Sequence, residues 1–523
     1  MSKKNFVLVI VGHQGYIRHI ENGEEYAAEN DLLFTSISRT YLPLINLFHR
    51  LEEESVPFKV SLVLSPVLCA LFDDPMVQQQ YIEWLEARIK LGEKELIRCK
   101  DDERVYANAL STLNQFKKDL NDFCEVYNQN LLGEFAYFAR KGCVELLATA
   151  ASYAFFPHYA DMTEVLNAQV EAGLYSHRKY FGTAPEGFWL PYMGYAEGVE
   201  KVLRSYGLNY TILDTRSILF SPESPDTGIF APVRCQNSLV VFGRDRDCPA
   251  EIISEGSGIM YNPVYRNPNK DVGFELNADE LGEFLPSGKG RVSSGYRYWS
   301  RGDEVYDEAR AKAQAAEDAR AFVSRRKQKL EEAESLLNGK DACLVCTVSA
   351  STLGQDWTEG IVFLENVLRN GDGLDFAGCS DLLEEQFSLP RINPYPAAAF
   401  ESGNGEDLLD STNNWMLLHL RKMCERMVDL AGRFPDDSGL TVRLLNLGAK
   451  ELMIAQSAEW ALMLHEGRFP EYVTARFKES IVAFITVFDS LGSSTVSTEW
   501  LTKVEHAHPI FPWMNYRIFS KKK

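Results

Sequence analysis

Short, continuous apolar runs alternate with longer helical patterns through the first three quarters of this chain, and no other feature limits its fold so narrowly. The runs cover residues 6–11, 58–64, 144–147, 187–190, 210–213, 239–242 and 344–348, most of them bounded by turn residues. A strand that is apolar at every position must be covered on both faces, and an intervening helix is the connection that parallel strands require. The pattern predicts an α/β fold whose parallel sheet is either covered by helices on both sides or closed into a barrel. Two regions depart from it. Residues 75–129 are polar, helical and too long for a loop, which predicts a helical insertion over about 75–130. From about residue 401 the strand signals stop, and amphipathic stretches at 413–430, 440–464 and 471–491 predict an all-α C-terminal domain over 401–523.

Charge and cysteine usage narrow the function. A net charge of −20 disfavours nucleic acid and anionic lipid as partners, while an uncharged polysaccharide is compatible. Basic residues gather only at 324–329 and 521–523. Arg325, Arg326 and Lys327 fall in a charged helical pattern over 303–338 and read as a solvated face. Ten cysteines without framework spacing indicate reduced thiols and a cytoplasmic protein. Cys343-Leu-Val-Cys346 lies inside an apolar run and reads as strand packing, so neither a metal nor a cofactor is expected. The N-terminal apolar run is short and lacks a cleavage pattern, and no stretch approaches the ~20 apolar residues that cross a bilayer.

Parallel barrels carry their chemistry at the C-terminal ends of the strands. There the chain places Gly12-His13-Gln14, Ser65-Pro66, Ser152-Tyr153, Pro191-Tyr192, Asp214-Thr215-Arg216, Gly243-Arg244-Asp245 and Ser349-Ala350-Ser351. The set is polar and aromatic, suited to sugar contacts, yet poor in carboxylates. Asp214 and Asp245 alone qualify, whereas a glycosidase needs two carboxylates facing the scissile bond. His13 has no nearby Cys or Asp in the chain and reads as a hydrogen-bonded histidine of the barrel mouth.

Several segments, in order along nearly the whole chain, resemble the branching-enzyme group of glycoside hydrolase family 57. They include Gly15-Tyr-Ile-Arg18, Gly187-Phe-Trp-Leu-Pro191, Asp214-Thr215, Phe242-Gly-Arg-Asp245, Pro263-Val-Tyr-Arg266, Asp271-Val-Gly-Phe274, Trp357-Thr-Glu-Gly360 and Ile510-Phe-Pro-Trp-Met-Asn-Tyr-Arg517. The resemblance implies an incomplete (β/α)7 barrel over 1–400, with lid segments at about 250–295, and a helical C-terminal domain closing over a glucan cleft. It also implies a retaining mechanism on α-1,4-glucan, with a glutamate nucleophile and an aspartate acid/base.

This chain departs from that pattern at the reacting groups. The family's nucleophile follows Trp-Leu-Pro, and here Trp189-Leu190-Pro191 is followed by Tyr192. Counting back from Trp357-Thr-Glu-Gly360 places Ser349 at the acid/base position, with Ser351 for a glutamate and Gln355-Asp356 for a His-Trp pair. Of the family's histidines, one becomes Val11, one Tyr153 and one Arg216, while His13 is kept; an acceptor-region tryptophan aligns with Phe400. The expectation is a pseudoenzyme that keeps the fold and binds an α-1,4-glucan, a maltooligosaccharide or a protein partner. Cleft candidates are His13, Tyr16, Tyr153, Trp189, Tyr195, Asp214, Arg216, Trp299 and Trp357, of which Trp189 and Trp357 read first as core or wall residues. The alternative is an active transferase or hydrolase with Tyr192 as nucleophile, His13 or Asp214 as base and Asp356 as proton donor. In the plainer reading Asp356, Glu359 and Glu197 are surface or structural carboxylates.

Overall fold

The structure, a computed structural model, describes residues 2–20, 25–282, 284–286, 290–371, 373–384, 386–493 and 495–521. Residues 283 and 287–289 of the expected lid and 522–523 of the terminal lysine run lie outside the described residues. Nine strands form one sheet: β1 (Lys4–Gly12), β2 (Val60–Leu64), β3 (Val144–Thr149), β4 (Gly187–Trp189), β5 (Tyr210–Leu213), β6 (Val233–Arg234), β7 (Val240–Gly243), β8 (Ala342–Ser349) and β9 (Asp375–Phe376). Their order is β6-β7-β5-β4-β3-β2-β1-β8, all parallel except β6. β9 takes the edge of β1 at Asn5 and Phe6, which β2, paired from Val9 onward, leaves open. Past the end of β7, Arg244 bridges Val345 of β8, and the Asp245 N–H donates to the Val345 carbonyl at 2.7 Å. The seven long parallel strands thus curl until their ends touch at one bridge, an incomplete (β/α)7 barrel.

The apolar strands are explained by two clusters on opposite faces. Val7, Val9, Val63, Leu147, Ile212 and Val345 point into the barrel, while Phe6, Leu8, Ile10 and Leu62 pack under the helices. Cys343 falls in the inner cluster and Cys346 in the outer one, and all ten cysteines are free thiols. The two small strands β6 and β9 escape the sequence pattern because two residues carry no period.

The insertion consists of the helices Pro75–Arg98 and Glu103–Asn121, capped by the carboxylates of Asp74 and Asp102. The helix Glu308–Leu337 corrects one expectation. Arg325 is exposed, but Arg326 is buried and pairs with Glu251, with Asp245 behind it. The charged face is therefore partly an inner one, satisfied by carboxylates from distant segments that the helical period cannot reveal.

After residue 401 the long helices are Asn414–Arg433, Leu440–Ala455, Ala458–His465, Pro470–Ser493 and Thr498–Ala507. The expected stretch 440–464 is broken at Gln456-Ser457. The buried Gln169 amide donates to Gln456 Oε1 at 2.9 Å, and the Ala458 N–H reaches the Tyr153 carbonyl at 3.4 Å. This break docks the helical region onto the barrel mouth, and one apolar cluster runs through both, including Trp460, Phe511 and Tyr516. Among the described residues no helix is long and apolar enough to cross a membrane.

Candidate active site at the strand ends

After β4, Leu190 and Pro191 lead into a tight turn in which Tyr192 (φ 53°, ψ 23°) and Met193 (φ 51°) are both left-handed. For residues with a Cβ this costs about 1–3 kcal/mol each, and such strain gathers at functional sites. Met193 N–H to Leu190 O (2.7 Å) and Ala399 N–H to Tyr192 O (2.8 Å) hold the turn. It aims the Tyr192 ring into the mouth, 5.4 Å from the rings of both Tyr153 and Phe400. The phenol donates to Glu459 Oε2 at 3.2 Å, and Arg468 holds the other oxygen of that carboxylate at 3.1 Å. Burial and then the Glu459 charge push the phenol well above its ordinary range, so it remains a neutral donor.

Opposite Tyr192, Tyr153 is also left-handed (φ 59°) and accepts from Trp189 Nε1 at 3.2 Å. His13 stacks on its ring at 3.9 Å with an interplanar angle of 13°. His13 Nδ1 lies 2.9 Å from Ser65 Oγ and Nε2 is buried without a partner. Burial lowers this imidazole to about 3, which keeps it neutral. Ser349 is exposed at the end of β8, in register with Val11, and its hydroxyl meets that of Ser351 at 2.9 Å. A Cβ on Gly354 would run into the Arg39 carbonyl, which seats the loop after Ser349 against the neighbouring helical turn. Asp356 keeps an exposed edge, yet burial in the mouth raises its carboxyl against the opposing effects of the Ser351 hydroxyl and the Arg468 and Arg297 charges.

The structure thus brings together His13, Tyr153, Trp189, Tyr192 and the Ser349 loop and assigns the other candidates elsewhere. Asp214 is fully buried, caps the helix Thr215–Leu219 and pairs with Arg244 at 2.8 Å. Arg216 donates to the Phe400 and Glu401 carbonyls and so shapes the wall behind Tyr192. Tyr16 and Tyr195 are 3% and 4% exposed, the latter donating to Glu200 at 2.9 Å. Trp357 is fully buried against Tyr265 and Phe363, which leaves it no face for a sugar. Trp299 belongs to a short hairpin paired with Val305, under the Lys270 ammonium. Glu359 is buried and accepts from Tyr306 at 2.7 Å. The bases expected for Tyr192 are corrected as well: His13 faces Ser65 and Asp214 faces Arg244, while the group that touches the phenol is Glu459.

Glu459 was missed because it lies in a helical stretch read as amphipathic cover, 267 residues from Tyr192, and Arg468 because it sits in the turn between two helices, outside every stretch singled out in the sequence. No local signal marks them; the Gln456-Ser457 break that presents them is a tertiary feature. Among the described residues no group of three or more His, Cys, Asp and Glu side chains is placed to hold a metal ion.

Comparison with known proteins finds relatives of the whole chain. The glycosyl hydrolase family 57 profile matches residues 7–359, and that of the 1,4-alpha-glucan branching enzyme C-terminal region matches 419–519. A 1,4-alpha-glucan branching enzyme of Thermococcus kodakarensis is 25% identical over 88% of this chain and 70% of its own length. A probable 1,4-alpha-glucan branching enzyme of Mycobacterium tuberculosis is 23% identical over 92% of this chain and 90% of its own. Among solved structures, the alpha-amylase AmyC of Thermotoga maritima superposes with a TM-score of 0.92 at 26% identity, covering 100% of both chains. The branching enzyme of Pyrococcus horikoshii gives 0.87 at 23% identity, covering 99% of this chain and 97% of its own, a likeness of fold.

Proposed function

The chain belongs to glycosyl hydrolase family 57, and from that membership we propose that it is a non-catalytic member of the branching-enzyme type, acting by binding and not by turnover. Its ligand is an α-1,4-glucan or maltooligosaccharide, or a protein partner regulated by the occupied cleft. We take residues 1–400 as the barrel domain and 401–523 as the helical domain that completes the mouth. The reduced cysteines support a cytoplasmic setting.

The observation that carries this reading is the Tyr192 turn. The turn is a strained left-handed backbone of the kind that gathers at functional sites, and the side chain on it is a phenol raised well above its ordinary range. Ser349, at the acid/base position, has no ionisation near neutrality with which to protonate a leaving oxygen. A retaining glycosidase needs two carboxyl groups about 5–5.5 Å apart across the bond, and the strand-end positions aligned with that pair hold Tyr192 and Ser349. The relatives are named for α-glucan chemistry, which supports that polymer as the candidate ligand. Calorimetry with maltoheptaose on the intact chain tests this, alongside an amylose assay by iodine staining and reducing ends. Binding without turnover is expected.

One observation favours a second reading. Tyr192 touches a carboxylate, and a phenol beside a general base is the arrangement of a tyrosine nucleophile. In that case Glu459 is the base and the raised Asp356 the acid. Amylose turnover that disappears in Tyr192→Phe and in Glu459→Gln would establish it and remove the first reading.

A further inference from the structure

Between the helical insertion and the barrel's outer face lies a cavity of about 330 Å³, at the small end of the ~300–1,000 Å³ range of ligand sites. Its walls come from the helical turn Ile37–Tyr41, the helices Leu42–Glu53 and Glu103–Asn121, and the starts of Glu308–Leu337 and Gly360–Arg369. It is not part of the strand-end mouth, although Thr358 and Glu359 tie it to the same segment as Ser349.

Two guanidiniums in its wall lack what their neighbours have. In the same polar layer Arg88 pairs with Asp31 at 2.6 Å and Arg297 with Asp271 at 3.1 Å. Arg266 is 7% exposed, its Nε has no partner, and its Nη1 reaches only Thr112 Oγ1 at 3.5 Å. It is held flat over the Tyr306 ring at 4.0 Å. Arg39 reaches only the Gly295 carbonyl, at 3.4 Å, and lies over Phe116. Neither has a carboxylate within ion-pair distance among the described residues. The carboxylates that face them are Glu359, whose Oε1 is taken by Tyr306 and the Arg266 N–H, and Asp119, which burial pushes up to about 6 against the Arg39 charge. Glu308 at the rim is already tied to Lys312 and Ser111. Burial without a matched anion is costly for a guanidinium, and fixed planar donors are suited to a phosphate.

We propose that this cavity binds a small phosphate-bearing anion, with Arg39 and Arg266 holding the phosphoryl oxygens, the Thr112 hydroxyl donating beside them, and Lys118 and Lys312, which are paired with Asp122 and Glu308, supplying positive charge at the rim. The inference is independent of what the strand-end mouth does. Free phosphate and a phosphomonoester share this chemistry, and the experiment separates them.

The test is calorimetric titration of the intact chain with inorganic phosphate and with glucose 1-phosphate, using glucose and sodium chloride as controls. One saturable site is expected for at least one phosphate compound, weakened by salt. Affinity should fall about tenfold or more in Arg266→Gln, and several-fold in Lys312→Glu. A tighter fit for glucose 1-phosphate identifies the ester as the ligand, and equal affinity identifies the phosphate group alone. Lys312 is on the exposed rim, so its variant decides the matter if Arg266→Gln fails to fold. The proposal is overturned if neither compound gives saturable heat at about 10 mM, or if both variants bind as the parent does.

Discussion

The strand-end mouth and the polar layer under the helical insertion make opposite use of charge. At the mouth the strand ends present uncharged groups, a phenol, a stacked neutral imidazole and two serines, and the charge stands behind them in the Glu459–Arg468 pair that the phenol touches. Under the insertion, Arg39, Arg88, Arg266 and Arg297 are interleaved with Asp31, Asp119, Asp271 and Glu359. Asp271 shows how tightly that layer is built. Its fully buried carboxylate accepts from Ser294 N–H (2.7 Å), Ser294 Oγ (2.6 Å), Ser293 Oγ (2.7 Å), Gly273 N–H (2.8 Å), Gly295 N–H (3.0 Å) and Arg297 Nε (3.1 Å). Burial alone would raise it, and Arg297 with these donors holds it below its ordinary range. The difference lies in how far charge is matched: under the insertion Asp271 is fully satisfied while Arg39 and Arg266 have no ion pair, whereas at the mouth the carboxylate that touches Tyr192, Glu459, is shared with Arg468.

The largest effect that could break this contrast is catalytic. On the proposed non-catalytic reading, glucan turnover should fall on the order of 10⁶-fold below that of an intact carboxylate pair, because such groups act as a unit. Amylose assays on the parent and on Tyr192→Phe should give the same background, and turnover confined to the parent would erase the contrast. Next in size, Asp271→Asn should lose about 3–5 kcal/mol of stability in urea unfolding, the cost of stranding a buried partner. A loss under 1 kcal/mol would mean the polar layer is not holding the insertion.

Acid should act through the mouth. His13 is neutral in the folded chain down to about pH 3, whereas the unfolded chain takes up that proton near 6.5. Its contribution is complete above pH 6.5 and is lost as the pH falls below it, by about 2 kcal/mol between pH 6.5 and 5. Comparing the stability slope of the parent with that of His13→Gln over this window checks it, and identical slopes would place His13 in solvent. The smallest effect belongs to Glu459→Gln, with under about 1 kcal/mol in stability because the amide can still accept from the phenol. Ultraviolet titration should then find Tyr192 ionising at lower pH than in the parent.

The chain order of elements was legible because strands buried on both faces must be apolar throughout, as residues 60–64 are at four of five positions, and because helices must separate them. The place of Tyr192 and Ser349 at the strand ends was legible for a different reason: one follows and the other precedes a short motif whose spacing is local. Trp357 was harder, since a tryptophan beside a motif looks alike in sequence whether it lines a cleft or packs against Tyr265 and Phe363. The inner face of Arg326 was hidden too, because its carboxylate partner Glu251 comes from a segment 75 residues away.

By itself, then, the sequence determined the barrel, the inserted helices, the helical C-terminal region and the residue types at the strand ends, all of which follow from periodicity and short-range spacing. Only the tertiary structure decided that Tyr192 answers to Glu459, that His13 is stacked and uncharged, and that Arg39 and Arg266 face one cavity without an ion pair. Electrostatic partners act over a few ångströms in space and at any separation along the chain, so no local pattern encodes them.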